Sequence, residues 1–316
     1  MVRPITVLMA IYNPPLGMLN QAIDSLLAQT FRAFELLVID DGSPDDNART
    51  HLQQRSRDDS RLRIVREPHH GLTASLNRGI AISQGEFIAR HDADDWSSPE
   101  RLERQYAHFL QYPSTALCGS NAWTHQQNGR PLWPTRLPQS RQQLLASFPQ
   151  GNPFVHGATM FRRKAALAID GYREAFRCSQ DYDFFWRLTE RYEAVNLPEP
   201  IYHYRYSSCS ISSQRAAEQL QAHTAICELA RRRQRGEQED PAWALARAAS
   251  AGQSSSKADR IAMKQADHLM LAGDYRKAAQ SYLQLVRTHP ASPLAWAKLA
   301  RLGLFRTMPF LREACF

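Results

Sequence analysis

The four residues DADD place Asp92, Asp94 and Asp95 directly after the apolar stretch Phe87, Ile88, Ala89. Carboxylates this close repel one another, so a fold that gathers them needs a compensating charge. A divalent cation supplies it. Magnesium and manganese suit such a site best where phosphate oxygens provide the remaining ligands. Read without its surroundings, the same run is a solvated acidic turn. A second acidic pair, Asp40 and Asp41, ends the apolar run FELLVI and precedes Gly42, a pairing also common in plain turns. A third group is SQDYD at 179–183. There Ser179 would cap a helix and leave Asp181 in its first turn. A helix N-terminus lowers a carboxyl pKa, whereas burial raises it and makes the group a usable base. His156 follows NPFV and reads either as a ligand to metal or acceptor or as a structural histidine at a strand end. His203 is structural or faces the acceptor.

Each of these residues needs an element to hold it. ITVLMAIY, FELLVIDDGS, LRIVREP and EFIARHDADD read as buried strands. Between them, LNQAIDSLLAQ sets Leu19, Ile23, Leu26 and Leu27 on one helical face, NARTHLQQRSRDD is helix-compatible, and LTASLNRGIAISQG is a helix that stops at Gly85. This βαβα alternation predicts an α/β fold: a Rossmann-like, mostly parallel sheet with helices on both faces. Ligands of such sheets gather beyond the carboxyl ends of the strands, where Asp40, Asp41, Asp92, Asp94 and Asp95 all fall. On a nucleotide-binding sheet, a carboxylate in the place of Asp40 accepts hydrogen bonds from a base or ribose. Further on, SPERLERQYAHFLQ predicts a helix capped by Ser98 with Pro99 at its first position. ALCGSNAW and VHGATMFRR predict strands, QDYDFFWRLTERY a helix, and EAVNLPEPIYHYRYS a broken, strand-like return. The chain turns helical after Ser213, so the expected domains are 1–210 and 211–316. Within the second, GDYRKAAQSYLQLVRTHP spaces Gly273, Ala278, Tyr282 and Pro290 as in a tetratricopeptide unit, giving an expected hairpin over about 262–303. An ordinary amphipathic helix pair fits the same pattern.

Charge separates these halves. Residues 1–213 carry 23 Lys and Arg against 22 Asp and Glu, a net of +1, whereas residues 214–316 carry 16 against 9, a net of +7. A nucleic-acid enzyme would set its basic surface around the active cleft, so nucleic acid is not an expected partner. With 43% hydrophobic and 22% charged residues, the chain has a soluble, globular composition. No apolar run is long enough for a signal peptide or a membrane span. The five cysteines are scattered without a C-x-x-C pair, which suits a reducing cytoplasm.

Taken together, VLMAIYN, VIDDGSPD, GLTASLNRGIAISQGEFIARHDADD and HGATMFRR…GYRE…SQDYDFFWRL resemble the inverting family 2 glycosyltransferases of the GT-A fold. The resemblance spans about residues 4–206. It implies transfer of a sugar from a nucleotide diphosphate sugar to a hydroxyl acceptor, with Mn2+ or Mg2+, in bacterial cell-envelope or exopolysaccharide assembly. By that resemblance Tyr12 faces the nucleotide, Asp40 holds the base with Asp41 beside it, and Asn77 and Gly79 lie in the stretch that closes around the donor. Asp92 and Asp94 position ribose, diphosphate and metal, and Asp95 assists. Asp181 matches the catalytic base, although the residue before it is Gln180 where the family more often has Glu. The Q-x-x-R-W block of processive members is absent. Arg205 would approach the diphosphate as the loop RYSSCSIS closes over it. Trp96 and Trp123 would stack on sugars or pack in the core.

Two other functions fit less well. A nucleotidyltransferase would show a glycine-rich nucleotide loop with an early lysine, yet the first strand ends AIYNPP and residues 1–213 contain only Lys164. A non-catalytic sugar-nucleotide sensor or scaffold would have no need of Asp92, Asp94 and Asp181 together. The segment LARLGLFRTMPFLREACF interleaves apolar residues with Arg301, Arg306 and Arg312. It suits either contact with an anionic membrane, near a lipid-linked glycan acceptor, or packing on the helical hairpin. The first option places the protein at the inner face of the membrane.

Overall fold

A computed structural model describes residues 3–207, 215–250 and 255–300, except 289, 291, 292, 294 and 295. The tail segment 301–316 and most of the RYSSCSIS loop lie outside the described residues, so the membrane and lid expectations do too. The chain packs as two compact units. The first comprises Met1–Ala122 and Pro134–Tyr204; the second comprises Trp123–Trp133 and the chain from Arg205 onward.

The first unit opens with β1 (Ile5–Ile11), α1 (Leu16–Leu27), β2 (Phe34–Asp40), α2 (Asp46–Asp58), β3 (Leu62–Arg66), α3 (Leu72–Ile82) and β4 (Phe87–Arg90). β1 pairs in parallel with both β2 and β4, and β2 with β3. The order is therefore 3-2-1-4. Right-handed crossovers then place α1 and α2 on one face and α3 on the other. The side chains obey this. Ile5, Val7 and Met9 pack with Leu19, Ile23 and Leu26 of α1 and Leu52 of α2. On the opposite face Leu8 meets α3 at Gly79, where a Cβ would stand 2.2 Å from the Leu8 side chain. The glycine of SLNRGIA is thus a packing requirement between helix and sheet.

β4 ends the parallel run. Beyond it the sheet continues through β8 (Met160–Arg162), β6 (Thr115–His125), β9 (Glu193–Arg205) and the two-residue β5 (Trp96–Ser97), with antiparallel pairing at β4–β8, β6–β8 and β5–β9. β7 (Pro131–Pro134) pairs with β6. The helices are α4 (Arg101–Gln111), α5 (Arg141–Ser147), α6 (Arg163–Leu167) and α7 (Gln180–Arg191). The fold is α/β, as expected, with an antiparallel extension on the parallel core.

Three local expectations are corrected. α4 begins at Arg101 rather than after a Ser98 cap, because Ser98, just past β5, is engaged with β9: its amide donates to Ile201 O at 3.1 Å and its hydroxyl meets His203 Nε2 at 3.2 Å. The strand expected to begin at Val155 opens instead as a 3-10 turn, His156–Ala158. Gly157 fits there because a Cβ would lie 2.0 Å from the Tyr202 hydroxyl. Ser179 precedes α7 in the left-handed region (φ 59°) and makes no side-chain cap.

The second unit contains α8 (Ala216–Gln234), α9 (Pro241–Ser250), α10 (Ser255–Ala272) and α11 (Tyr275–Thr288). α10 and α11 form a hairpin. Small Ala266 and Ala278 let the helices approach, and Met270, Tyr282, Leu285 and Val286 fill the seam beside Trp133. Gln126 Nε2 donates to the Tyr275 hydroxyl at 2.6 Å, tying the β6–β7 turn to this hairpin. No helix among the described residues is long and apolar enough to cross a membrane.

Candidate active site

The carboxyl ends of β1, β2 and β4 flank the point where strand order reverses, and the acidic residues gather there. Tyr12, just past β1, is 52% exposed. Its ring lies 4.2 Å from that of His69, tilted by 32°. Asp40, buried at the end of β2, accepts from Ser43 N at 3.0 Å and faces Arg66 Nε at 3.8 Å. Ser43 Oγ in turn accepts from Asn13 N at 2.8 Å, so the β1 and β2 loops are latched together. Asp41 spends both oxygens within the protein, on the amides of His70 and Gly71, each at 2.9 Å, and on His69 Nδ1 at 2.9 Å. It shapes the loop that carries His69. His69 and Arg66 did not stand out in the sequence; the signal available was the basic, imidazole-rich run REPHHG at the end of a strand.

The turn after β4 divides its carboxylates. Asp95 is buried and accepts from the Tyr202 hydroxyl at 2.8 Å. Asp92 and Asp94 are partly exposed. Asp92 Oδ1 accepts from Arg90 Nη2 at 2.5 Å. Arg90 itself is buried, and its carbonyl accepts from Arg101 Nη2 at 2.7 Å. Desolvation pulls the Arg101 guanidinium down to about 10. Among the described residues no three His, Cys, Asp or Glu side chains converge as a set able to hold a metal ion. The partly exposed Asp92 and Asp94 are oxygen donors of the kind that a hard divalent cation takes alongside phosphate and water.

Asp181, also partly exposed, sits in the first turn of α7. Its Oδ2 accepts from Asn152 Nδ2 at 2.7 Å. Desolvation raises its pKa to about 6; the backbone amides of Tyr182 and Asp181 oppose that rise, the charge of Asp92 adds to it, and Asn152 opposes it. A carboxylate so placed is mostly ionised at neutral pH yet basic enough to accept a proton. Two residues on, Asp183 is fully buried between Arg173 (3.2 Å) and Arg187 (2.8 Å). Arg187 also donates to the carbonyls of Ile169 and Gly171. Asn77 completes this support: its amide donates to Tyr172 O and accepts from Tyr172 N, both at 2.8 Å. The Asn of SLNRGIA thus fixes the segment that leads into α7.

His156 is partly buried, with Nε2 3.0 Å from the Tyr172 hydroxyl. Desolvation, helped by the charge of Arg90, holds its pKa well below the usual histidine range. Trp96 stacks on His203 at 4.9 Å with ring planes 6° apart. Arg205 ends β9 within the second unit, and Trp123 belongs to that unit too. The structure therefore gathers Tyr12, Asp40 and Asp41 at one group of strand ends. Asp92 and Asp181 lie close enough for their charges to interact.

Residues 6–169 match the model of glycosyl transferase family 2. The chain is 30% identical over 214 residues to the putative glycosyltransferase EpsE of Bacillus subtilis, covering 65% of this chain and 73% of that protein. It is 30% identical over 204 residues to the O-antigen biosynthesis glycosyltransferase WbnJ of Escherichia coli, covering 64% and 79%. In fold it is similar to the mannosyltransferase PcManGT of Pyrobaculum calidifontis, solved with GDP-Man and Mn2+, with a TM-score of 0.57 at 16% identity over 97% of this chain and 81% of that one. It is also similar to S. aureus TarS 1-349 with UDP-GlcNAc, with a TM-score of 0.56 at 16% identity over 96% and 91%. On the family match and these relatives, the chain belongs to glycosyl transferase family 2 and is a glycosyltransferase of the GT-A type.

Proposed function

We propose that this enzyme moves a sugar from a nucleotide diphosphate sugar to a hydroxyl acceptor with inversion, and that it depends on a divalent metal. The observation that carries the reading is a partly exposed Asp181, held by Asn152 at 2.7 Å in the first turn of α7 and near enough to the partly exposed Asp92 to feel its charge. Tyr12 and Asp40 would receive the nucleotide at the ends of β1 and β2. His69, held by Asp41 against Tyr12, would complete that wall. Asp92 and Asp94 would hold the metal, which when bound supplies positive charge to the diphosphate. Asp181 would remove the proton of the acceptor hydroxyl, and one displacement from the face opposite the leaving group inverts the anomeric centre. His156, whose Nε2 meets Tyr172, would line the acceptor side.

Relatives named for O-antigen and amylovoran biosynthesis support a glycan acceptor in cell-surface polysaccharide assembly; a cytoplasmic location and lipid linkage of that acceptor are further parts of the proposal. The hairpin of α10 and α11 is read as a single tetratricopeptide-like unit. A thermal-shift panel of UDP-, GDP- and dTDP-sugars with and without Mn2+ identifies the donor, and NMR of the product's anomeric proton tests inversion. Transfer that is unaffected by EDTA, or a retained anomeric configuration, would refute the proposal.

A further inference from the structure

We propose that Asn152 is a positioning residue for Asp181: its side-chain amide fixes the carboxylate through Oδ2 and leaves Oδ1 to take the acceptor's proton. The inference rests on Asp181 being the base.

The geometry is specific. Asn152 Nδ2 stands 2.7 Å from Asp181 Oδ2, and among the described residues it is the side chain that donates to that carboxylate, beside the backbone amides of Tyr182 and Asp181. The Asn152 amide is oriented in turn, because its Oδ1 accepts from Phe154 N at 3.2 Å. The loop that carries it is fastened to the helix that carries Asp181. The Tyr182 hydroxyl donates to Phe148 O, and the Phe148 ring stacks on Trp186 at 5.1 Å with planes 12° apart. Pro153 O accepts from Asn196 Nδ2 at 2.9 Å. Donor and carboxylate therefore belong to one packed piece, although 29 residues separate them in the chain.

The chemistry asks for such a donor. As the acceptor oxygen bonds to the anomeric carbon, the bond from that carbon to the diphosphate oxygen breaks and its electron pair leaves with the diphosphate. The hydroxyl proton passes to Asp181. The carboxylate must be ionised before this happens, and it must present a free oxygen. Besides its burial, the groups acting on it are the amides at the start of α7, Asp92 from the β4 turn, and Asn152; the Tyr172 phenol in turn feels its charge. Arg90 stands beyond, against Asp92 and Tyr172, and His156 rests on Tyr172. Asn152 favours ionisation by donating to the charged form.

The test uses the full chain with its identified donor. Asn152→Ala removes the donor; Asn152→Asp keeps the shape and substitutes a like charge. The acidic limb of the kcat–pH profile should rise by about half to one pH unit in the first variant and further in the second. At neutral pH kcat should fall about tenfold, with the Kd for nucleotide diphosphate within twofold of the parent. Retention of the parent's melting temperature in Asn152→Asp separates this from a folding defect. Asp181→Asn is measured alongside. If it is inactive while both Asn152 variants keep the parent's acidic limb, the positioning role is overturned and the base assignment stands. If Asp181→Asn transfers sugar normally, both fall together.

Discussion

Arg90, 1% exposed, donates from Nη2 to Asp92 Oδ1 at 2.5 Å, so the first carboxylate of the DADD turn meets an internal cation. Repulsion within the acidic run is thus met partly by the protein, with Tyr202 satisfying Asp95 and only Asp92 and Asp94 left partly exposed. Arg90→Met should leave Asp92 without its partner. The cost should be about 2 kcal/mol, below that of a fully buried pair because Asp92 retains contact with water. Urea denaturation of the two proteins measures it.

Asp183 differs from Asp181 in being fully enclosed by Arg173 and Arg187. Asp183→Asn should cost about 3–5 kcal/mol, since it strands buried guanidinium charge, and should lower expression and the melting temperature. A stable variant with normal transfer would show that the pair is dispensable.

Asp181→Asn should reduce transfer by roughly a hundredfold or more while leaving donor affinity nearly intact. Isothermal titration with the nucleotide diphosphate, set beside initial rates, separates the two effects. A matching loss of donor affinity would mark the residue as structural.

The raised pKa of Asp181, about 6, makes two pH predictions. Transfer should decline as pH falls through that value, because the protonated carboxyl accepts nothing. For stability the sign is opposite to the usual salt-bridged carboxylate. The fold binds this proton more tightly than the unfolded chain does, so stability from this group is lost as pH rises from about 3.8 to about 6. Asp181→Asn should therefore raise the melting temperature more at pH 8 than at pH 4.

Gly157 allows the 3-10 turn to pass beneath the site. A Cβ there would lie 2.0 Å from the Tyr202 hydroxyl and 2.8 Å from Asp92 Oδ2. Gly157→Ala should destabilise by about 1–3 kcal/mol through overpacking. It should also weaken donor binding, because Tyr202 holds Asp95 and the amide of Asp92. Thermal melts with and without donor check both effects.

Local signals determined much of this protein. Apolar runs alternating with helical periodicity made the βα series legible, and the position of Asp40 and of Asp92–Asp95 after apolar runs put them at strand ends, since a residue's place along a strand is a local property. The switch to helix after Ser213 was equally plain. What the sequence did not show were partnerships across elements. Nothing in FIARHDADD indicates that Arg90 turns inward to Asp92, or that Asp95 serves Tyr202, which lies 107 residues away. Nor does SQDYD reveal that Asp181 meets Asn152 while Asp183 is consumed by two arginines. Nor does SLNRGIA show that Asn77 clamps Tyr172 or that Gly79 admits Leu8. Such roles depend on strand order, on the face to which each crossover sends its helix, and on side-chain packing. A carboxylate's protonation and reach follow from its neighbours in space, and only the tertiary structure selects those neighbours.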